Sequence, residues 1–426
     1  MNIKSLLLGS AAALIAVSGA RAADVVVAEP EPVEYVRVCD AYGEGYFYIP
    51  GTETCMRISG YVRADIKGGD NPGARKRGDI DRDTYAWRTR ATLRFHTASE
   101  TELGTLRTFI ELRSQWDEGA EWDHKGDSAG GQLRFAFIEL GGIRVGLDES
   151  IFNHWTGYYG NVINDDVVNP MAYTRTNVIS YTFNAGNGFS AILGVEQGND
   201  DLNNADKYGY RYSHADDGDI NFKRYKLSGK IDDYTPNVVG GLKFVQGWGG
   251  ISVVGAYDAF YEEWAAKARL DLNVTDQWSV WVMGGYKSAD DYYNFDNTYG
   301  MKDVDGSHHA ARIGHDGVLK YGIYRQINSI YGDWGGDWAA WGGTTFKFNK
   351  KTSFNAQVSY DDTDTFAASI NVKYELVPGL VITPELTYVS WENDYSIRDE
   401  IRNAKLSDSL KGQDAFQGMV RIQRSF

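Results

Sequence analysis

From Arg57 to the end of the chain, apolar and polar residues alternate with a period of two, in segments of about ten residues. In the segment 366–376, apolar side chains occupy the even positions, while Ser369, Asn371, Lys373 and Glu375 occupy odd ones. This alternation is typical of β-strands with one apolar and one polar face, as found in a soluble sandwich or in a membrane barrel. The pattern of the links between strands separates these two folds.

The alternation predicts sixteen strands, at residues 57–67, 84–97, 103–116, 131–140, 142–149, 175–184, 188–198, 236–246, 251–261, 263–275, 277–288, 337–349, 351–361, 365–377, 380–392 and 415–426. The links after the even-numbered strands are short. Most links after the odd-numbered strands are long and polar, at 68–83, 117–130, 150–174, 199–235, 289–336 and 393–414. Short turns at one rim and long loops at the other are typical of an outer-membrane barrel. We therefore predict an all-β fold, a transmembrane antiparallel β-barrel of 16 strands.

The segment 150–174 lies between two short strands and shows no alternation. A long unpatterned stretch inside a compact fold usually has a function of its own. We predict that this segment is a constriction loop, folded inward and narrowing the lumen of the barrel. A second irregularity is Pro384 inside a predicted strand, where we expect a bulge or a lost ladder bond, because proline has no backbone N–H.

The chain divides into three parts. Residues 1–22 contain Lys4, an apolar run from Leu6 to Val17 and an Ala-Arg-Ala ending, which is the pattern of a secretory signal peptide. Residues 23–56 form an N-terminal periplasmic or leader segment, and residues 57–426 form the transmembrane β-barrel. The apolar run is too short for a membrane-spanning helix.

The two cysteines of the chain, Cys39 and Cys55, both lie in the exported N-terminal segment. In an oxidising compartment such a pair is expected to form a disulfide that closes a small loop. The alternative is a metal site, but no histidine lies nearby in the sequence. We find no catalytic motif, phosphate-binding loop or cofactor signature, so the sequence predicts no catalytic residue, metal or cofactor.

Composition and charge narrow the function further. The chain contains 48 Gly, 28 Tyr, 12 Trp and only 8 Pro, as expected for many strands joined by tight turns. Loss of Lys4 and Arg21 with the signal would change the formal net charge from −15 to −17. An acidic chain without a cluster of Lys and Arg gives no support to nucleic-acid binding.

With the apolar residues facing lipid, arginines of the first five strands point into the lumen. This predicted basic wall consists of Arg88, Arg90, Arg94, Arg107, Arg113, Arg134 and Arg144, with Arg57 and Arg63 beside it. The opposite sign is expected from an acidic group at the loop, consisting of Asp148, Glu149, Asp165 and Asp166. A basic wall that faces an acidic loop creates a transverse field, which selects solutes by size, charge and polarity. The alternative is that these arginines only pair with acids of a polar interior.

Several segments resemble the general porins of alphaproteobacterial outer membranes. They include VEYVRVCDAYGEGYFYIPGTETCMRISGYVRADIKGGD, which contains both cysteines, SETELGTLRTFIELR, IELGGIRVGLDESIF, VVGGLKF, EEWAAKARLDLNVTDQWSVW, YGDWGGDWAAWGG and YELVPGLVITPELTYV. The resemblance implies a homotrimer in the bacterial outer membrane, a third loop folded inward, and passive diffusion of small hydrophilic solutes and ions. An outer-membrane location implies contact with lipid and lipopolysaccharide. The terminal Phe426 looks like the signal read by the barrel-assembly machinery.

Three other functions remain open for such a barrel. A substrate-selective porin, for example one for sugars, would need an aromatic ladder, and none stands at fixed spacing in the sequence. An outer-membrane enzyme would need a His and a Ser on the lipid-facing rim. An adhesin or structural barrel would have a plugged lumen, for which the loop 289–336 is long enough.

Overall fold

The computed structural model describes residues 37–74, 79–82, 84–117, 131–157, 160–171, 175–197, 208–214, 220–226, 235–259, 263–288, 295–296, 300–302, 308–310, 312–313, 319–320, 322–323, 329–392, 410 and 412–426. Within these residues sixteen strands form the wall of a barrel, and we number them in chain order. They are β1 Cys55–Gly69, β2 Ala86–Thr101, β3 Gly104–Asp117, β4 Gln132–Leu140, β5 Ile143–Asp148, β6 Thr176–Asn184, β7 Phe189–Glu196, β8 Asn237–Gln246, β9 Gly249–Asp258, β10 Glu263–Asn273, β11 Trp278–Lys287, β12 Trp338–Lys347, β13 Thr352–Asp361, β14 Thr365–Val377, β15 Leu380–Trp391 and β16 Gln413–Ser425.

Each barrel strand pairs antiparallel with the next one along the chain, and β16 pairs with β1. At this seam Tyr61 lies opposite Ser425, and Gly69 lies opposite Gln417. The sheet is therefore closed, so that no strand edge is left with unpaired backbone groups. The predicted fold class, a 16-strand antiparallel barrel, is confirmed.

The two faces of the wall differ as the alternation predicts. On the outer face, large apolar side chains such as Leu93, Ile110 and Val282 are exposed by 39% to 55%. On the inner face lie buried charged groups such as Asp65 and Glu111. This arrangement suits a barrel in lipid, where apolar residues cover the outside and the lumen is polar.

Irregularities interrupt the ladders near Pro384 and at Arg134, besides a register shift at Glu375 and Val377. Between β14 and β15, the pairing passes from Asn371–Glu385 to Tyr374–Ile382, so the two pairs nearest Pro384 are absent. The predicted loss of a ladder bond at Pro384 is thus observed, because proline cannot donate. Between β3 and β4, the register shifts at Glu111 and Leu112, which places Arg134 at a bulge.

The N-terminal segment is fastened to the start of β1. A disulfide joins Cys39 to Cys55, with Cα atoms 6.1 Å apart. This finding confirms the expected disulfide and excludes the alternative metal site for this pair. A 3-10 turn, Asp40–Tyr42, lies in the loop that the disulfide closes, and the two-residue strand Phe47–Tyr48 pairs with β1.

Short strands also occur in the long loops 199–235 and 289–336, outside the barrel wall. Tyr208–His214 pairs with Ile220–Lys226 and with Gly322–Ile323, Gly300–Lys302 pairs with Phe295–Asp296 and with His308–Ala310, and Arg312–Ile313 pairs with Leu319–Lys320. No helix among the described residues has the length and hydrophobicity needed to cross a membrane.

The main buried apolar cluster lies inside the barrel. It combines residues of the segment between β5 and β6, such as Phe152 and Trp155, with Tyr331 and Trp334, which precede β12, and with Trp341 of the wall. A soluble sandwich would bury its core between two sheets. Here the core instead forms where inserted segments pack against one half of the inner wall.

Leu242 and Lys243 are neighbours on β8 whose side chains point to opposite faces of the wall. Substitutions at these two positions can therefore test which face contacts lipid. Leu242 is 51% exposed on the outer face, whereas the Lys243 ammonium lies inside, 4.6 Å from the ring of Trp155. We expect Leu242→Arg to lower the free energy of unfolding by roughly 2–4 kcal/mol, since a cation near mid-bilayer is costly. Lys243→Arg is the matched control and should change it little. Equal effects of both variants in urea unfolding from lipid vesicles would contradict this assignment of the faces.

Candidate functional site

The segment between β5 and β6, residues 149–175, folds into the barrel, and we call it the inserted loop. It begins with a single helical turn, α1 Ile151–His154, whose N-cap Ser150 accepts a hydrogen bond from Phe152 N at 3.2 Å. The segment agrees with the predicted inward-folded loop at 150–174. Residues 158–159 and 172–174 of that prediction lie outside the described residues.

The root of the inserted loop is held by Glu196 at the end of β7. Its carboxylate accepts hydrogen bonds from Ser150 Oγ at 2.9 Å and from Ile151 N at 2.6 Å. Two glycines of the wall make this close approach possible. A Cβ at Gly194 would lie 2.3 Å from Ile151 Cδ1, and a Cβ at Gly241 would lie 2.3 Å from Trp155 Cδ1.

The far part of the inserted loop is held by β13 and β15. Gly160 N donates to Gln357 Oε1 at 3.0 Å. The Glu385 carboxylate accepts from Ile163 N at 2.5 Å and from Asn164 N at 2.7 Å. Charge-assisted hydrogen bonds of this kind are stronger than neutral ones. The loop is therefore fixed along β7 to β15, which form one half of the barrel.

A second inward segment, residues 329–337, braces the inserted loop, and we call it the bracing segment. Tyr331 donates from its hydroxyl to Glu196 Oε2 at 2.9 Å, and its ring lies 5.5 Å from that of Phe152. Gly332 N and Asp333 N both donate to Met171 O, at 3.2 and 3.0 Å. Glu196 thus joins the root of the inserted loop to the bracing segment.

Lysines of the same half of the wall bind loop carbonyls. Lys267 of β10 donates to Pro170 O at 2.8 Å, and its ammonium lies 4.4 Å from the ring of Phe152. Lys287 of β11 donates to Trp334 O at 2.7 Å and to Gly332 O at 3.1 Å. Lys267 and Lys287, like Glu196 and Glu385, therefore bind backbone groups of the inward segments instead of facing the lumen.

The other half of the barrel, β16 and β1 to β5, carries the arginine arc. We define the arc as the inner-face arginines Arg57, Arg63, Arg88, Arg90, Arg94, Arg107, Arg113, Arg134, Arg144 and Arg421. All seven arginines of the predicted basic wall belong to it. The arc faces the half of the wall on which the inserted loop is fixed.

Several arginines of the arc pair with acids on the same strand or on a neighbouring strand. Arg94 Nε and Arg113 Nη2 both bind Glu111, at 2.7 and 3.0 Å. Arg421 binds Asp65 through two hydrogen bonds of 2.6 and 3.0 Å, and Arg88 pairs with Asp117. These ion pairs hold the guanidinium groups in place across the β2–β3 ladder and across the β16–β1 seam.

Other arginines of the arc lack a full carboxylate partner. Arg90 Nε donates to the neutral Gln115 at 2.6 Å. Arg134 lies near the guanidinium groups of Arg113 and Arg175. Arg107 lies opposite Glu139 in the ladder, nearer the short-turn rim. In the described strands the arginines of the arc outnumber its carboxylates, so this arc has an excess of positive charge.

The structure separates the four predicted acidic residues into two pairs. Asp148 is the last residue of β5 and binds Arg144 of its own strand at 2.7 Å, so it does not face that arginine across the lumen. Glu149 is buried and interacts with Lys267 on the far wall. Asp165 and Asp166 lie together in the far part of the inserted loop, and Asp166 is exposed. Of the four, only Asp165 and Asp166 lie in the far part of the inserted loop.

The carboxyl of Asp165 has an altered proton affinity. Burial, together with repulsion by Asp166 and Glu385, raises the pKa of Asp165 to about 8, and attraction to Arg421 opposes this shift. Asp165 is therefore mostly neutral at pH 7. At that pH the inserted loop contributes less negative charge than its sequence suggests.

Sequence reasoning missed the residues that hold the loops, namely Glu196, Glu385, Lys267 and Tyr331, and it also missed Arg421. The alternation does place Glu385 and Arg421 on the inner face, so their orientation could have been predicted. What they bind could not, because their partners Asn164 and Asp65 are 221 and 356 residues away in the chain. Among the described residues no group of three or more His, Cys, Asp or Glu could hold a metal ion.

Comparison with known proteins places this geometry in a family. The family model of the porin subfamily matches residues 24–419. The chain is 48% identical over 430 residues to a protein named porin Omp2b from Brucella suis, and 46% identical over 431 residues to porin Omp2b from Brucella abortus (strain 2308). Both alignments cover 100% of each chain.

Two solved structures show a similar fold at low sequence identity. The outer membrane channel DcaP of Acinetobacter baumannii aligns with a TM-score of 0.54 and 13% identity, over 89% of this chain and 99% of that chain. An anion-selective porin from Comamonas acidovorans aligns with a TM-score of 0.50 and 13% identity, over 88% of this chain and 100% of that chain.

The bonds of Glu385 predict what fixes the far part of the inserted loop. We expect Glu385→Ala to leave Ile163 N and Asn164 N without their acceptor, so that the loop moves and the current through single channels becomes noisier. Glu392→Ala, which removes an exposed carboxylate beyond the end of the same strand, is the control. Open-channel noise in planar bilayers is the measurement. Noise equal to that of the unaltered protein would show that Glu385 does not hold the loop.

The raised pKa of Asp165 predicts a pH-dependent channel. As pH rises through about 8, Asp165 loses its proton and the loop gains one negative charge. We expect Asp165→Asn to match the unaltered protein in ion selectivity below pH 6, where both side chains are neutral, and to favour anions more strongly above pH 9. Reversal potentials under a salt gradient from pH 5 to pH 10 measure this. A difference already complete at pH 5 would contradict the shift.

Proposed function

We infer that this chain, which belongs to the porin subfamily, is an outer-membrane porin whose water-filled lumen lets small hydrophilic solutes and ions cross passively. Membership in this family indicates a channel rather than an enzyme. The closed 16-strand wall, with its apolar outer face and polar inner face, supports a location in the bacterial outer membrane.

One observation carries the proposal of a selective pore. The inserted loop is bonded to the wall at Glu196 of β7 and Glu385 of β15, while the arginines of β1 to β5, which form most of the arginine arc, lie on the opposite half. A loop fixed on one half narrows the lumen without closing it. Solutes must then pass between the loop and charged side chains, where size and charge both matter.

We propose that the constriction is formed by the arginine arc and the acidic residues of the inserted loop. The basic side includes Arg88, Arg90, Arg94, Arg107, Arg113, Arg134 and Arg144, and the acidic side includes Asp165 and Asp166. Asp148 and Glu149 act instead at the root of the loop, through Arg144 and the far wall. Since the arc has excess positive charge and Asp165 is mostly neutral at pH 7, we expect anions to be favoured.

We further propose a homotrimer in contact with outer-membrane lipid and lipopolysaccharide, made from a chain that loses residues 1–22. The apolar outer face of the wall supports both contacts. Phe426 is 57% exposed, while its backbone exchanges hydrogen bonds of 2.9 and 3.1 Å with Gly60. Its side chain is therefore available to the barrel-assembly machinery at the final strand.

Single-channel conductance of the purified protein in planar bilayers tests this function. We expect stepwise insertions with three equal current levels, and a reversal potential under a KCl gradient that favours chloride. The double variant R90Q/R134Q should shift the reversal potential towards cations, because it removes two lumen charges.

Arg424→Gln is the matched control for this test. It removes one positive charge, where the double variant removes two, from a side chain that donates to Pro378 O at 2.5 Å near the short-turn rim. The control should leave the reversal potential nearly unchanged. Folded, heat-modifiable protein without any conductance would overturn the porin function, and equal shifts for both variants would overturn the role of the arginine arc.

A further inference from the structure

The inner face of β2, β3 and β4 carries a line of aromatic rings. The ring centroids of His96 and Phe109 are 4.8 Å apart, those of Phe109 and Phe137 are 5.3 Å apart, and those of Phe109 and Phe135 are 6.4 Å apart. These residues are cross-strand neighbours, since His96 lies opposite Phe109 and Phe109 lies opposite Phe137. They share the face of Arg94 and Glu111, which is the lumen face.

The line continues into the N-terminal segment. Tyr46 lies 6.5 Å from His96, and Tyr42 lies 6.2 Å from Tyr46. The disulfide between Cys39 and Cys55 fastens this segment to the start of β1, so it holds both tyrosines at the rim where the short turns lie. We call the whole set the aromatic track, which consists of Tyr42, Tyr46, His96, Phe109, Phe135 and Phe137.

All six residues of the aromatic track are partly exposed, the four of the wall on its inner face and the two tyrosines at the rim. The far wall is different, because Phe152, Trp155, Tyr331 and Trp334 there are buried in the packing of the inserted loop and the bracing segment. The lumen of a membrane barrel is normally polar. Partly exposed rings along one path, on the half of the wall opposite the buried packing of the inserted loop, therefore suggest contact with a passing solute.

Guanidinium groups accompany the aromatic track along its length. That of Arg57 lies 5.0 Å from the ring of Tyr46, that of Arg144 lies 4.3 Å from Phe137, and that of Arg134 lies 5.7 Å from Phe135. In the part of the chain that the structure describes, Arg57 and Arg107 form no ion pair with a carboxylate. Their charges can therefore bind a carboxylate that comes from outside.

We propose that the aromatic track is a binding path for small aromatic carboxylates, leading from the constriction to the short-turn rim. The solute's ring stacks on a track ring, as aromatic pairs do at centroid separations of about 4.5–7 Å. Its carboxylate binds a guanidinium, whose planar donors match carboxylate geometry. This inference rests on the proposed porin function, and it assigns to that pore a preferred class of solute.

Block of single-channel chloride current by benzoate tests the proposal. Cyclohexanecarboxylate has the same charge and a similar size but no flat aromatic face, and benzamide has the ring without the charge. We expect benzoate to block saturably at a lower concentration than either. In the double variant F109L/F137L, the ratio of the half-blocking concentrations of cyclohexanecarboxylate and benzoate should fall by about fivefold to tenfold.

Two further variants separate stacking from charge. Phe346→Leu removes an aromatic ring from the outer face and should keep the ratio of the unaltered protein. Arg57→Gln should weaken block by both carboxylates together, because it removes the charge and keeps the rings. Folding of each variant is checked by its heat-modifiable migration in gels.

The outcomes distinguish this proposal from the porin function. Equal block by benzoate and cyclohexanecarboxylate would overturn the role of the aromatic track, and so would an unchanged ratio of their half-blocking concentrations in F109L/F137L. Normal KCl conductance in the same experiment would show that the porin function still holds. A loss of selectivity for benzoate in Phe346→Leu would also overturn it. Absence of KCl conductance from folded protein would instead remove the porin function on which the proposal rests.

Discussion

The hydrogen bonds that close the barrel at the seam of β1 and β16 are the constraint on which the rest of the structure depends. Hydrocarbon offers no partner to a backbone N–H or C=O, so a spanning sheet must pair its first strand with its last. Here Gly60 and Phe426 exchange two backbone bonds, and Arg421 binds Asp65 across the same seam at 2.6 Å. Closure then sorts side chains strictly into an outer apolar face and an inner polar face.

Backbone N–H groups inside the barrel need hydrogen-bond acceptors as well. The inserted loop brings N–H groups into the lumen, and buried donors without partners are unfavourable. Glu196 and Glu385 accept four of the hydrogen bonds that fix this loop, and Asp258 accepts Ser329 Oγ and Ile330 N of the bracing segment. Carboxylates of this half are thereby engaged in holding loops. The positive charge of the arginine arc is not offset by them.

Much of this arrangement follows from the sequence alone. The strand positions, the alternation of loop lengths and the orientation of residues such as Arg94 and Arg113 depend only on the period of two, which is local information. The inward path of the inserted loop follows from its lack of alternation between two short strands. These features are predictable because each is decided by residues close together in the chain.

Other features depend on register between distant strands and were not predicted. No aromatic ladder stands at fixed spacing in the sequence, yet His96, Phe109 and Phe137 lie in line because three ladders place them opposite one another. The pairing of Asp148 with Arg144 depends on where β5 ends, and element ends are the least certain part of a sequence-based assignment. Tyr331 lies at the end of a loop of 48 residues whose sequence carries no regular pattern.

The charge of the lumen therefore depends on bonding rather than on composition. The chain has a formal net charge of −15, which taken alone would suggest a preference for cations. On the far wall, however, Lys267 and Lys287 bind loop carbonyls, and Glu196 and Glu385 bind loop amides, so charges of both signs are engaged. Across the lumen, the arginines of the arginine arc outnumber the carboxylates on the same described strands. A solute in the lumen therefore meets an excess of positive charge. The sign of the charge along the pore is set by which charged groups are already paired, not by the total charge of the chain.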